Sequence, residues 1–310
     1  MSDFDKSKWT LDPSDFTINK KRKEIKAGYM SSTFYTQKST GLKCIIKKTN
    51  TKLSSDDDDF TQRSFNAAIS LFCTFKHPAI VPFVGFYEQK GFGYIVEEEI
   101  EKGSLFTILE TIRKDNNVDP LWDETHKLII LYGISCCMEF LHNKSIIHRD
   151  LKPGCILLDS ELHPYITGFT CSKKINPTET TSSDLSQTTS IIMAPEFIED
   201  PEHSCISLPI DVYSYAIILY ETITELAAFS NLKSPFKILM AVSNGERPEI
   251  PKDTPSNWTN LIQRSWSQEP KDRPTFKEIC DLLESDEFVT QNINRDIFEN
   301  YKKLVKPFRP

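Results

Sequence analysis

The segment His148-Arg149-Asp150-Leu151-Lys152-Pro153 gathers an imidazole, a carboxylate and two cations within six consecutive residues. Two residues after it the chain carries a thiol at Cys155. A second distinctive stretch, Gly168-Phe169-Thr170, begins thirteen residues beyond that thiol. The order and spacing of these stretches, together with the motifs on both sides of them, decide the fold class.

The composition is that of a globular protein in a reducing compartment. Hydrophobic residues make up 39% and charged residues 26% of the chain, which is typical of a globular protein. A length of 310 residues is enough for one large domain or two modest ones. The net charge of −7 argues against a nucleic-acid or anionic-membrane surface. Eight cysteines without a C-x-x-C pair, and no secretory leader or long apolar stretch, predict reduced thiols in a cytoplasmic protein.

Hydrophobic patterns divide the chain into a strand-rich part and a helix-rich part. Before about Val96, β-prone runs flank the turn Thr40-Gly41, and one helix is predicted from Phe60 to Phe75. In the second part, apolar residues at helical spacing predict helices over Thr125–His142 and Ile210–Thr224.

Two later segments carry expectations of their own. Thr178–Ser190 contains nine serine or threonine residues and no apolar periodicity, which predicts an exposed loop. In the last 25 residues, Ile297, Tyr301 and Leu304 have the spacing of one helical face, which predicts that they pack onto the body.

The motifs along the chain resemble those of a protein kinase domain in identity, order and spacing. The segment from His148 resembles the catalytic loop, and Gly168-Phe169-Thr170 stands where the second metal-binding segment is expected. The pattern W-x-x-x-P-x-x-R-P-x-F, from Trp266 to Phe276, is typical of the tyrosine-kinase-like group. The other matching motifs are Cys44-Ile45-Ile46-Lys47, His77-Pro78-Ala79-Ile80-Val81, Tyr94-Ile95-Val96-Glu97-Glu98, Gly103-Ser104-Leu105, Phe140-Leu141-His142, Met193-Ala194-Pro195-Glu196 and Asp211-Val212-Tyr213-Ser214-Tyr215.

The resemblance implies an α+β, bilobal protein kinase fold, with a small β-rich N-lobe that holds one helix, αC, and a larger helical C-lobe. The implied boundaries are a flexible leader at 1–14, a kinase-like domain at 15–284 (N-lobe 15–97, hinge 98–103, C-lobe 104–284) and a C-terminal helix and tail at 285–310.

Several residues match the family positions that serve phosphoryl transfer or the fold. Asp150 would act as the base, and Lys152 would steady the transferred phosphoryl group. Lys47 would bind the α and β phosphates of ATP, with Gly28 and Glu98 also at the nucleotide. The implied structural positions are His148 and Phe169 in an apolar spine, Arg149 facing a phosphorylated activation loop, Asp211 capping the catalytic-loop backbone, and a buried Glu196–Arg273 ion pair.

The chain departs from the family pattern where the chemistry is most demanding. Cys155 replaces the asparagine and Gly168 the aspartate that would bind Mg²⁺, although this ion prefers oxygen ligands. Ala68 stands in place of the αC glutamate. The glycine loop retains one glycine, since Lys26, Gly28 and Ser31 occupy its three glycine positions. Around the adenine, Ile45 replaces a smaller alanine and Glu97 stands at an apolar or threonine position.

A buried, unpaired carboxylate at Glu97 would be costly. We therefore predict that Glu97 turns toward Lys47 and replaces the missing αC glutamate as its partner. The alternative is that Glu97 points to solvent.

Three functions follow from these observations. The first is a pseudokinase that serves as a scaffold or allosteric partner of a signalling protein, with little or no phosphoryl transfer. The second is an active serine/threonine kinase that uses ATP with non-standard metal binding, and the third is an inactive nucleotide-binding switch. An upstream kinase acting on Thr178–Ser190, with Arg149 as the docking cation, is a further possibility beside a merely polar loop. Cys155 is either a reactive thiol or a buried, inert one.

Overall fold

The computed structural model describes residues 6–27, 30–54, 60–115, 118–175, 193–199, 207–232 and 234–309. These residues form two compact units. Unit 1 comprises Met1–Lys76, Ile80–Glu101 and Phe169–Ser172, and unit 2 comprises His77–Ala79, Lys102–Gly168 and Lys173–Pro310. Gly28 and the loop Thr178–Ser190 lie outside the described residues.

Unit 1 is built on a six-stranded antiparallel sheet with one helix. The strand order is β1-β3-β4-β6-β5, and β2 pairs with β3. The elements are β1 (Phe16–Ile18), β2 (Ile25–Ala27), β3 (Met30–Gln37), β4 (Lys43–Thr49), α1 (Phe60–Thr74), β5 (Phe83–Gln89) and β6 (Phe92–Glu98).

Glycine is needed at two places in this unit, one a turn and the other a close approach between a helix and the sheet. Gly41 has φ +75° in the turn between β3 and β4, a left-handed conformation that favours glycine. A Cβ at Gly93 of β6 would lie 2.6 Å from the Phe65 ring of α1, so the missing side chain admits that ring against the sheet. The strands and the helix predicted for this part of the chain are confirmed.

Unit 2 is mainly helical. Its two longest helices, α3 and α5, are buried on nearly every side, because both are rich in apolar residues around their full circumference. Its helices are α2 (Leu105–Asp115), α3 (Glu124–Asn143), α4 (Pro195–Glu199), α5 (Pro209–Thr224), α6 (Pro235–Ser243), α7 (Ser256–Ser265), α8 (Phe276–Leu283) and α9 (Arg295–Val305). Its short strands are β7 (Gly103–Ser104), β8 (Ile146–Ile147), β9 (Ile156–Leu158), β10 (Pro164–Ile166) and β11 (Lys173–Lys174). No described helix is both long enough and apolar enough to span a bilayer.

The C-terminal helix packs through a different face from the one predicted. Ile297 and Leu304 are exposed by 40% and 48%, whereas Phe298, Tyr301 and Val305 are buried. The two faces share Tyr301, and their centres differ by roughly 70° around the helix axis. The Phe298 ring is in edge contact with Tyr132 of α3, with 5.3 Å between ring centroids, and this contact selects the observed face.

The N-terminal residues contact the sheet of unit 1. Lys6–Trp9 and Pro13–Asp15 form short 3-10 helices, and the Leu11 amide donates to the Phe86 carbonyl at 2.9 Å. The Trp9 ring lies against Phe83, with 5.2 Å between centroids. Residues 6–14, expected to be part of a flexible leader, are therefore held by an aromatic ring and a backbone hydrogen bond.

Candidate functional site

In unit 1, Lys47 and Glu97 form a buried ion pair. Lys47 on β4 donates to Glu97 Oε1 at 2.9 Å and lies 2.8 Å from Oε2. The register pairs Ile45 with Glu97, so the two side chains that meet lie diagonally on one face of adjacent strands. The Glu97 side chain is only 2% exposed. The predicted pair is confirmed, and the solvent-facing alternative is wrong.

Helix α1 has no carboxylate to offer this lysine. Its sequence from Phe60 to Thr74 contains no aspartate or glutamate, and Ala68 is fully buried. The partner of Lys47 therefore comes from the neighbouring strand rather than from the helix. This arrangement fixes the lysine within the sheet and leaves α1 without an ion pair to it.

The other predicted nucleotide residues are distributed along the same sheet. Lys26 pairs with Ser31 across β2 and β3, so both of these glycine-loop positions carry side chains. Glu98 ends β6, where its amide donates to the Pro82 carbonyl at 3.0 Å. Ile45 is partly buried beside Glu97.

In unit 2, Asp211 organises the backbone of the catalytic segment. Its carboxylate accepts from the amides of His148 at 2.8 Å and Arg149 at 2.9 Å, as the resemblance implies. Arg149 has φ +68°, a strained conformation that two backbone hydrogen bonds help to hold. His148 lies 3.0 Å from the Thr167 carbonyl, and burial lowers its pKa, so the ring is neutral at physiological pH.

Asp150 and Lys152, at the two positions that the family uses for catalysis, contact each other directly. Lys152 Nζ lies 2.8 Å from Asp150 Oδ1 and 2.7 Å from Oδ2. The ammonium thus binds both oxygens of the carboxylate that would orient a substrate hydroxyl. Both side chains are partly exposed.

Cys155 and Gly168 lie side by side in unit 2. Gly168 has φ +90°, and a Cβ built there would be 2.8 Å from Cys155 Sγ. The thiol is buried, and its sulfur is 4.0 Å from Asp150 Oδ2. The sulfur therefore occupies the space that a side chain at residue 168 would enter.

The Glu196–Arg273 ion pair that the resemblance implies is observed within unit 2. Arg273 binds both oxygens of Glu196 at 2.7 Å, and its side chain is fully buried. In unit 1, the Phe169 ring contacts Phe72 of α1 edge-on, with 5.3 Å between centroids.

Comparison with known proteins agrees with this architecture. The sequence model of the protein tyrosine and serine/threonine kinase family matches residues 21–283. The chain belongs to this family. The kinase motifs that fix its fold lie in that span, including the bidentate Glu196–Arg273 pair.

The curated relatives are kinases that are longer than this chain. The chain is 30% identical over 272 residues to a probable serine/threonine-protein kinase of Dictyostelium discoideum, covering 87% of this chain and 19% of the relative. It is 34% identical over 226 residues to the RGS domain-containing serine/threonine-protein kinase A of the same organism, covering 73% and 19%. It is 33% identical over 218 residues to receptor-interacting serine/threonine-protein kinase 2 of Bos taurus, covering 66% and 40%. The chain thus spans a minor part of these relatives' lengths.

The kinase family uses ATP and Mg²⁺, and the residues at the two metal positions do not fit this ion. One position offers a thiol and the other no side chain, with the thiol packed where a carboxylate would begin. Within the described residues, no group of three histidine, cysteine, aspartate or glutamate side chains could hold a metal. No step of a reaction is therefore derived through Mg²⁺ at these positions.

Replacing Gly168 by alanine is expected to lower the free energy of unfolding by about 1–3 kcal/mol. The alanine would have to adopt an unfavourable positive φ, and its Cβ would collide with Cys155 Sγ. Combining Gly168→Ala with Cys155→Ala removes the collision and should cost less than the sum of the single changes. Urea unfolding of the four proteins measures this coupling. Strictly additive losses would show that the thiol does not occupy that space.

Proposed function

We propose that this chain is a pseudokinase domain that acts as a scaffold or allosteric partner of a signalling protein, with little or no phosphoryl transfer. The observation that carries the proposal is that Cys155 and Gly168 stand at the two metal positions and pack against each other. Neither position therefore offers a side-chain oxygen ligand. The Lys47–Glu97 pair gives the lysine a carboxylate partner that α1 lacks, and it is compatible with either function.

The magnitudes favour this function. Losing one charge-stabilising group from such a site lowers the rate by about 10²–10³. Two metal ligands, the αC glutamate and most of the glycine loop are replaced here. Even if these losses are far from additive, phosphoryl transfer should be very slow. Asp150, bound by Lys152, then serves the structure of the loop rather than a reaction.

An active serine/threonine kinase with non-standard metal binding is the second candidate. The retained Asp150 and Lys152, in direct contact, favour it, as do relatives whose names describe serine/threonine-protein kinases. A nucleotide-binding but inactive switch lies between the two and would bind ATP without Mg²⁺.

The remaining features of the proposal concern partners and location. A net charge of −7 and the cysteine pattern support a cytoplasmic protein that binds another protein rather than nucleic acid or membrane. The nine serine and threonine residues of Thr178–Ser190 make that loop a candidate substrate of an upstream kinase, with Arg149 as its docking cation.

A phosphotransfer assay tests the proposal. The full chain is incubated with γ-labelled ATP, Mg²⁺ or Mn²⁺, and casein as a general acceptor, beside an Asp150→Asn control. We expect label in the chain and in casein to stay at the level of the control. Incorporation that depends on Asp150 would establish the active-kinase alternative and refute the proposal.

A further inference from the structure

The residues Lys6–Leu11, here named the N-terminal segment, bind unit 1 as a short peptide would. Thr10 forms a parallel bridge with Phe86 on β5, and the Leu11 amide donates to the Phe86 carbonyl. The Trp9 ring lies on Phe83 at 5.2 Å, and Leu11 packs against the apolar cluster on the sheet. Strand-like hydrogen bonds combined with side-chain anchors are a common mode of peptide recognition.

A glycine in β5 forms the seat for this segment. A Cβ at Gly85 would lie 2.5 Å from the Trp9 carbonyl oxygen and 2.6 Å from the Leu11 side chain. Gly85 also adopts φ +155° at the point where the pairing of β5 with β6 shifts register. Any other residue here would push the segment off the sheet, so the sequence of β5 is suited to its presence.

An unbroken series of aromatic contacts leads from the segment to α1 and onward. Trp9 contacts Phe83, the Phe83 ring stacks on Phe72 of α1 at 4.9 Å, and Phe72 contacts Phe169 at 5.3 Å. All four rings belong to unit 1.

The ion pair on the sheet makes these contacts more important for α1. Lys47 is bound by Glu97 of β6, and α1 has no acidic residue with which to attract it. Aromatic and apolar packing therefore holds α1 against the sheet, because no ion pair between Lys47 and this helix contributes to holding it. Phe65, set against Gly93, and Phe72 supply this packing from the helix side.

We propose that the N-terminal segment is an intramolecular ligand that holds α1 and Phe169 in place, so that its release loosens both. The N-terminal segment acts independently of nucleotide, because its contacts involve neither Lys47 nor the segment from His148 to Pro153. It goes beyond the proposed function and holds whether or not the chain transfers phosphate. A partner that captured the Lys6–Leu11 sequence would thereby change the conformation of α1.

Hydrogen exchange of the full chain, followed by mass spectrometry, tests the proposal. We expect Trp9→Ala to speed exchange by about tenfold or more in residues 60–74 and 169–172, because these regions lose an anchor of their packing. Residues 209–224 in α5 should keep their protection. Gly85→Ala, which displaces the segment from the other side, should give the same regional pattern. Phe92→Ala removes a partly buried ring of β6 outside the aromatic series and is the matched control.

A synthetic peptide of residues 1–15 provides a second measurement, which separates loss of the N-terminal segment's contacts from general misfolding of the variant. Added to the Trp9→Ala protein, it should restore protection of α1, whereas the same peptide with alanine at position 9 should not. Unchanged exchange in α1 for both variants would overturn the proposal. So would a uniform increase over both units, or restoration by the alanine peptide.

Discussion

Replacing Lys47 by methionine is expected to lower the free energy of unfolding by about 3–5 kcal/mol. The Glu97 side chain is 2% exposed, and both of its oxygens lie within 3 Å of the lysine nitrogen, at 2.9 and 2.8 Å. Removing the ammonium leaves a buried carboxylate without its counter-charge, and desolvation makes that costly. Denaturant unfolding monitored by circular dichroism measures the change.

The double variant Lys47→Met/Glu97→Leu provides the matched comparison. It replaces both charges with apolar groups of similar size, so we expect it to recover most of the stability lost in Lys47→Met. Glu97→Leu alone should be less harmful than Lys47→Met, since the remaining lysine is 16% exposed and can reach water. If Lys47→Met unfolds at the same denaturant concentration as the unaltered chain, the Lys47–Glu97 ion pair does not stabilise the fold.

Replacing Arg309 by methionine should also destabilise the fold by about 3 kcal/mol or more. This guanidinium binds Glu139 of α3 at 2.7 Å, Glu284 at 2.6 Å and Asp281 of α8 at 2.7 Å. Glu139 is the critical partner, because its side chain is only 3% exposed and would keep a buried charge. The residue lies beyond the span matched by the family, so the effect would show that the C-terminal extension is part of the stable unit.

Lys303→Met on the exposed side of α9 is the control for that variant. It lies six residues before Arg309, and its Nζ donates to Asn300 Oδ1 at 3.4 Å. We expect a change within about 0.5 kcal/mol for this surface substitution. Equal losses in Lys303→Met and Arg309→Met would contradict a specific role for the Glu139 contact.

The sequence was sufficient to predict structure where a physical rule or a family motif allowed only one arrangement. The Lys47–Glu97 pair could be predicted because α1 has no acidic residue and a buried glutamate requires a cation. The helix over Glu124–Asn143 could be predicted because its apolar spacing extends over five turns. Asp211 could be assigned to the catalytic-loop backbone because the resemblance includes its whole motif.

Tertiary contacts decided what the sequence left open. The periodicity of α9 allowed two overlapping faces, and only the contact of Phe298 with Tyr132 selects between them. The packing of Cys155 against Gly168 depends on the backbone conformation of Gly168, which the sequence of the twelve intervening residues does not reveal. Trp9 and Leu11 were the available signal for a bound N-terminal segment, but two apolar residues have no detectable period, and their seat at Gly85 lies far along the chain.

Thermal unfolding of the purified chain with millimolar ATP, with and without Mg²⁺, tests the central claim most directly. If the Kd for ATP is about tenfold below the ATP concentration used, binding would stabilise the folded state by about 1.4 kcal/mol and raise Tm. The pseudokinase account predicts no Mg²⁺-dependent rise, because neither metal position presents an oxygen ligand. A rise in Tm that requires Mg²⁺ together with ATP would contradict it.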